Sequence, residues 1–180
     1  MKALRIHIYL LFITLIFIGQ SCAQTATQVE TKAYINNPHF DETIKSYLDF
    51  SVPIISVDSL YKNYDNYILL DARAKSEYEV SHLPGAYLIG YKQPQLSVVD
   101  NLDTTKDIVL YCSIGYRSEV IANKLKKKGY SVINLYGSIF EWVNKGYPLH
   151  DENGLETKTI HGYDKSWSKW VENKEYRVTY

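Results

Sequence analysis

The chain has 180 residues, 22% of them charged, with a formal net charge of zero. That length holds one domain with a real core plus extensions, and the balanced charge argues against nucleic-acid binding, which needs a basic excess. Two cysteines in segments of opposite character, Cys22 and Cys112, exclude a disulfide-stapled framework.

Met1-Lys2-Ala3-Leu4-Arg5 is a short basic start, and Ile8 to Ile18 is apolar except for Thr14. A transmembrane helix needs about 20 apolar residues, so this run is too short to span and fits the core of a secretory signal. Gly19-Gln20-Ser21-Cys22 follows at once and resembles the lipobox of bacterial lipoproteins. Residues 1–21 are then a signal peptide, and Cys22 is the acylated first residue. Gly19 stands where the lipobox has leucine, and ordinary cleavage after Ala23 remains open. Either route implies export by a bacterium, to a periplasm or an exposed surface, and the lipobox route leaves a lipid anchor as the sole membrane contact. Residues 22–38 are polar, rich in Thr and Gln, and read as a tether.

The spacing of Phe40, Ile44, Tyr47 and Leu48 predicts a first helix, opening a domain over residues 39–150. Strands are expected at Val52–Ile55, Tyr67–Asp71, Ala86–Ile89, Asp107–Tyr111 and Ser131–Leu135. Helices are expected at Ser56–Tyr61, Lys75–Val80, Arg117–Lys128 and Ile139–Asn144. Val120, Ile121 and Leu125 should face inward. Alternating strands and helices imply an α/β fold with a mainly parallel five-stranded sheet and helices on both faces. Residues 151–180 form an aromatic-rich extension. Trp167, Trp170 and Val171 fall on one face of a short helix there, to dock on the chain's own domain or on a partner.

Cys112 lies just past the most apolar strand, where ligands of parallel α/β sheets bind. Ser113, Ile114, Gly115 and Tyr116 separate it from Arg117, which opens a helix with Ser118 next. Backbone N–H groups of such a turn have no helical partners and can curl into an anion-binding nest. A cysteine there has a depressed pKa, typically ~3.5–7.5, and is nucleophilic as thiolate. Arg117 would offer a cationic fork to a sulfur-containing anion. Ile114 would make the mouth partly apolar and admit a bulkier donor, and Tyr116 would line it. Taken alone, Cys-x4-Arg reads equally well as a buried structural cysteine at a strand end.

Other segments resolve that tie. Leu70-Asp71-Ala72-Arg73, Glu77-Tyr78 with Ser81-His82-Leu83-Pro84-Gly85-Ala86, the Cys112–Ser118 loop, and Leu135-Tyr136-Gly137-Ser138 with Trp142 and Gly146-Tyr147-Pro148 occur in the order seen in rhodaneses. The chain thus resembles the single-domain rhodanese family from roughly residue 50 to 150. It departs from the family pattern at Ser81 and Ser138, each in place of a glycine. The resemblance implies a rhodanese-like fold and sulfur transfer. The Cys112 thiolate would take sulfur from a donor such as thiosulfate as a persulfide, then pass it to a thiol, cyanide or an acceptor protein. Asp71 and Arg73 read as a supporting ion pair, His82 as a hydrogen-bonded structural residue and Trp142 as core.

A non-catalytic persulfide carrier or partner-binding module is the alternative. A cysteine phosphatase or arsenate reductase fits less well, because the related phosphatases place five residues between Cys and Arg. The five scattered histidines and the cysteine spacing indicate no metal site, and no cofactor is expected. His161 and Tyr163 are candidates to overhang the site.

Overall fold

Tyr67–Asp71 and Asp107–Tyr111 form neighbouring central strands, because runs so apolar can be covered on both faces. The computed structural model describes residues 34–103 and 105–180. The export signal and Cys22 lie outside the described residues. The strands are β1 (Ile54–Ile55), β2 (Tyr67–Asp71), β3 (Tyr87–Leu88), β4 (Asp107–Tyr111) and β5 (Val132–Leu135). They form one sheet in the order β1-β5-β4-β2-β3, parallel at every pairing. The expected α/β architecture is the observed one.

Five helices cover the sheet: α1 (Pro38–Tyr47), α2 (Val57–Lys62), α3 (Lys75–Val80), α4 (Tyr116–Lys126) and α5 (Ser138–Asn144). Side chains alternate across a strand with period two, so β2, β4 and β5 each feed two cores. Leu69, Val109, Tyr111 and Leu135 meet Phe40, Ile44, Leu60, Phe140 and Trp142 on the α1/α2/α5 face. Ile68, Leu70, Ile108, Leu110 and Val132 meet Ile121, Ala122 and Leu125 of α4 on the other.

Three expectations need correction. Val120 is only half-buried. The neighbouring Glu119 turns in, because its carboxylate accepts the backbone N–H groups of Asp49 (3.0 Å) and Ser51 (2.7 Å). Part of the stretch read as tether is structural: Ile35 is buried in the core, and Asn37 caps α1 by accepting the N–H groups of His39 and Phe40. The helix expected around Trp167–Val171 is a single 3₁₀ turn, Ser168–Trp170. Asp164 Oδ1 accepts the N–H groups of Ser166 and Trp167, and the chain leaves the turn extended at Val171.

The extension pairs its β7 (Glu156–Thr157) antiparallel with β6 (Leu149–His150) at the end of the domain, and holds a parallel pair, β8 (Thr159–His161) with β9 (Arg177–Thr179). It docks on its own domain. Ile160, Val171 and Tyr176 join the α1/α5 core, and Trp170 stacks on Phe40 at 5.2 Å. Asn144 Nδ2 donates to the Trp170 carbonyl, and its Oδ1 accepts the Glu172 N–H.

Glu141 of α5 is buried (2% exposed). Its Oε1 has no hydrogen-bond partner among the described residues, and Lys145 Nζ stands 3.9 Å away. Burial outweighs Lys145 and holds the carboxyl up at about 7. The folded chain therefore keeps this proton from about pH 4.5 to 7, where the unfolded chain has released it. Stability from this group falls as pH rises through that window. Urea unfolding of a Glu141→Gln variant should show a gain on the order of 3 kcal/mol over the parent at pH 8 and little at pH 4.5. An equal difference at both pH values would refute this.

Candidate active site

β4 ends at Tyr111, and the chain turns through Cys112–Gly115 into α4. The turn is fixed from outside. Ile139 N–H donates to the Cys112 carbonyl and Phe140 N–H to that of Ser113, both at 3.2 Å. Peptide planarity then directs the N–H groups of Ser113 and Ile114 away from α5, as an anion nest requires. Gly115 has φ +122°, a conformation that side chains disfavour. Its N–H donates to Cys112 Sγ at 3.2 Å. Asn134 Nδ2 holds the Gly115 carbonyl at 3.0 Å, and Ser118 Oγ donates to Asn134 Oδ1 at 2.7 Å.

Cys112 is 1% exposed. Burial pushes the thiol up, but the Arg117 charge and hydrogen bonds from Ser118 and Gly115 outweigh it, and the net shift is downward. The loop can therefore hold a sulfur anion, either a thiolate or the outer sulfur of a persulfide.

Arg117 departs from expectation. It presents no open fork: Nη1 donates to Glu77 Oε2 (2.6 Å), and Nη2 donates to Glu77 Oε1 (2.8 Å) and Ser113 Oγ (2.9 Å). Its charge acts on Cys112 through space, while Nη1 and Nη2 are engaged by Glu77 and Ser113. Glu77 was missed as a site residue, although it stands in the Glu77-Tyr78 motif. It is 3% exposed, and its Oε2 also accepts the Ala74 N–H. Burial raises its pKa, the Arg117 contact lowers it further, and it remains anionic.

Ser138 was also missed, having been read only as a replaced glycine. It has φ +51°. Its Oγ accepts the Cys112 N–H at 3.1 Å and donates to the Leu135 carbonyl at 3.0 Å. The hydroxyl thus ties the strand end carrying Cys112 to the start of α5.

The supporting residues divide. Asp71 and Arg73 are fully buried and paired through Nε and Nη2, at 2.7–3.0 Å, and Nη2 also donates to the Ser81 carbonyl. His82 lies outside the cavity over Cys112. Its ring stacks on Tyr78 at 3.9 Å, its Nδ1 is 3.0 Å from the Tyr78 carbonyl, and its backbone pairs with His150.

Cys112, Ser113, Ile114, Tyr116 and Arg117 line a cavity of about 580 Å³. Tyr47, Tyr91, Tyr163 and Trp167 form much of its wall. Tyr47, expected on the apolar face of α1, is instead 47% exposed and packs against Tyr116 and Trp167. The Tyr163 ring covers the Arg117 guanidinium at 5.0 Å. Among the described residues, no three His, Cys, Asp or Glu side chains gather as a metal site would need.

The rhodanese-like domain family matches residues 56–145, half of the chain and all of this loop. The chain belongs to the rhodanese-like domain family. A thiosulfate:glutathione sulfurtransferase of Saccharomyces cerevisiae is 31% identical over 98 residues, 47% of this chain and 70% of that one. A Porphyra purpurea protein named "Probable molybdopterin-synthase adenylyltransferase" is 33% identical over 125 residues, 64% of this chain. The rhodanese-like chain spans only about a third, 32%, of that relative's length. A crystal structure of a Bacillus halodurans protein shares the fold, with a TM-score of 0.51 at 23% identity over 64% of this chain and 87% of that one.

Proposed function

We propose that this rhodanese-like domain is a sulfurtransferase that carries sulfane sulfur as a persulfide on Cys112. The observation that carries this reading is the Gly115 N–H aimed at Cys112 Sγ at the floor of a cavity. The thiolate attacks the outer sulfur of a donor. With thiosulfate, the S–S bond breaks, sulfite leaves with the electron pair, and Cys112 gains one sulfur. An acceptor thiolate then attacks that outer sulfur and expels the Cys112 thiolate. Hydrogen bonds that favour the thiolate as nucleophile also favour it as leaving group. The relative named thiosulfate:glutathione sulfurtransferase supports this chemistry.

A phosphatase reading is disfavoured by the same geometry. Only four residues separate Cys112 from Arg117, and Arg117 Nη1 and Nη2 form a bidentate pair with Glu77. We further propose that the domain works outside the cytoplasm, tethered through Cys22. The basic start, the Ile8–Ile18 run and Gly19-Gln20-Ser21-Cys22 support that reading.

The test is incubation with thiosulfate, polysulfide or an organic persulfide, then mass spectrometry of the intact chain, with Cys112→Ser as blank. One added sulfur on Cys112, removed by cyanide as thiocyanate, is expected. No added sulfur from any of the three donors would overturn the proposal. Hydrolysis of an aryl phosphate dependent on Cys112 would replace it with the phosphatase.

A further inference from the structure

We infer that the cavity over Cys112 selects a low-molecular-weight organic thiol with a flat apolar body as the sulfur acceptor. The inference rests on the persulfide reading above.

The first observation is size. Pockets of about 300–1,000 Å³ hold drug-sized organic ligands. At about 580 Å³, this cavity far exceeds what thiosulfate or cyanide would fill. The second is the wall. Tyr47, Tyr91, Tyr116, Tyr163 and Trp167 surround the approach to the sulfur, with Ile114 beside it. Aromatic side chains pack best against flat apolar groups, by offset or edge-to-face contact. The third is where these residues come from. Tyr47 belongs to α1, and Tyr163 and Trp167 to the extension, all outside the family-matched residues 56–145. Tyr47 and Trp167 meet edge to face at 5.1 Å, joining the two additions into one wall.

Depth argues against a protein acceptor. Cys112 is 1% exposed, and the extension is fastened through Trp170 and Asn144 to the core. A rigid protein surface would have to displace that wall, whereas a small thiol enters beneath it. Transfer balances without a further reagent: the acceptor thiolate bonds to the outer sulfur, the S–S bond to Cys112 breaks, and the Cys112 thiolate leaves.

The test uses the full chain, persulfidated by an excess of polysulfide and freed of donor. Discharge is followed with 2-phenylethanethiol, 2-mercaptoethanol and cyanide. Corrected for thiolate fraction, the second-order rate constant for the phenyl thiol should exceed that for mercaptoethanol by about tenfold or more, the scale expected for burying an aromatic body. Trp167→Ala should bring that ratio close to one, and Trp167→Phe should retain most of it. Tyr91→Ala, at a lining residue inside the family-matched segment, should lower the ratio as well. Discharge to cyanide with equal rates for the two thiols would overturn the acceptor assignment and leave sulfur transfer standing. A chain that accepts no sulfur at Cys112 overturns both.

Discussion

Replacing Arg117 with methionine should slow sulfur loading of Cys112 at pH 7, by roughly tenfold or more for an activated cysteine, and move the pH profile upward. A thiol at its ordinary pKa of 9.0 is about 1% thiolate at pH 7. Burial alone pushes Cys112 above that value, and the Arg117 charge heads the interactions that bring it below. Methionine keeps much of the side-chain length but removes the charge. It also strands the buried Glu77 carboxylate, whose negative charge further disfavours a thiolate. Glu77→Gln should act the other way: it removes the anion that neutralises Arg117, so the thiol titrates lower. Alkylation of Cys112 by iodoacetamide across pH 5–10 reads both shifts. Coincident profiles for the parent and Arg117→Met would remove Arg117 from the activation of Cys112.

Asp71→Ala should cost about 3–5 kcal/mol, the range for breaking a buried ion pair by removing one partner. That is a large share of the roughly 5–15 kcal/mol that holds an ordinary domain together. Both side chains are fully buried, and Asp71 accepts from Arg73 Nε, Nη2 and the backbone N–H. Arg73 Nη1 already lacks a hydrogen-bond partner among the described residues. Without Asp71 the guanidinium keeps only the Ser81 carbonyl, 2.6 Å from Nη2. The pair Asp71→Leu with Arg73→Met removes both charges and should recover most of the loss. Urea midpoints of the three chains decide this. A single variant as stable as the parent would show that the pair contributes little.

The contrast between Arg73 and Arg117 shows what a sequence can carry. The partner of Arg73 is two residues away, within one motif, and its role as a supporting ion pair was legible. Glu77, the partner of Arg117, is 40 residues back on another helix, and only the parallel packing of β2 beside β4 brings α3 under the loop. The strands at 67–71 and 107–111 and the helix at 75–80 were readable to the residue, because burial on two faces and a short polar-apolar repeat mark them locally. The direction of Tyr47 was not. Helical spacing places it beside Phe40 and Ile44, and its aromatic neighbours Tyr116 and Trp167 come from α4 and the docked extension, distant in sequence. Ser138 was visible as a departure from the family pattern, but its bond to the Cys112 N–H depends on how α5 meets β4.

The ring of Tyr163 lying over Arg117 has a practical consequence for anyone choosing a fragment to express. A chain trimmed to the family-matched residues 56–145 would keep Cys112, Glu77 and Arg117 and look complete by motif. It would lack the wall made by Tyr47, Tyr163 and Trp167, and it would leave bare the α5 surface that Phe40 and Val171 cover. Such a fragment would face solvent with an open crater and a sticky flank. Its ligand preferences and solubility would belong to a different object, so screens and crystallisation trials should begin no later than residue 34 and run to Tyr180.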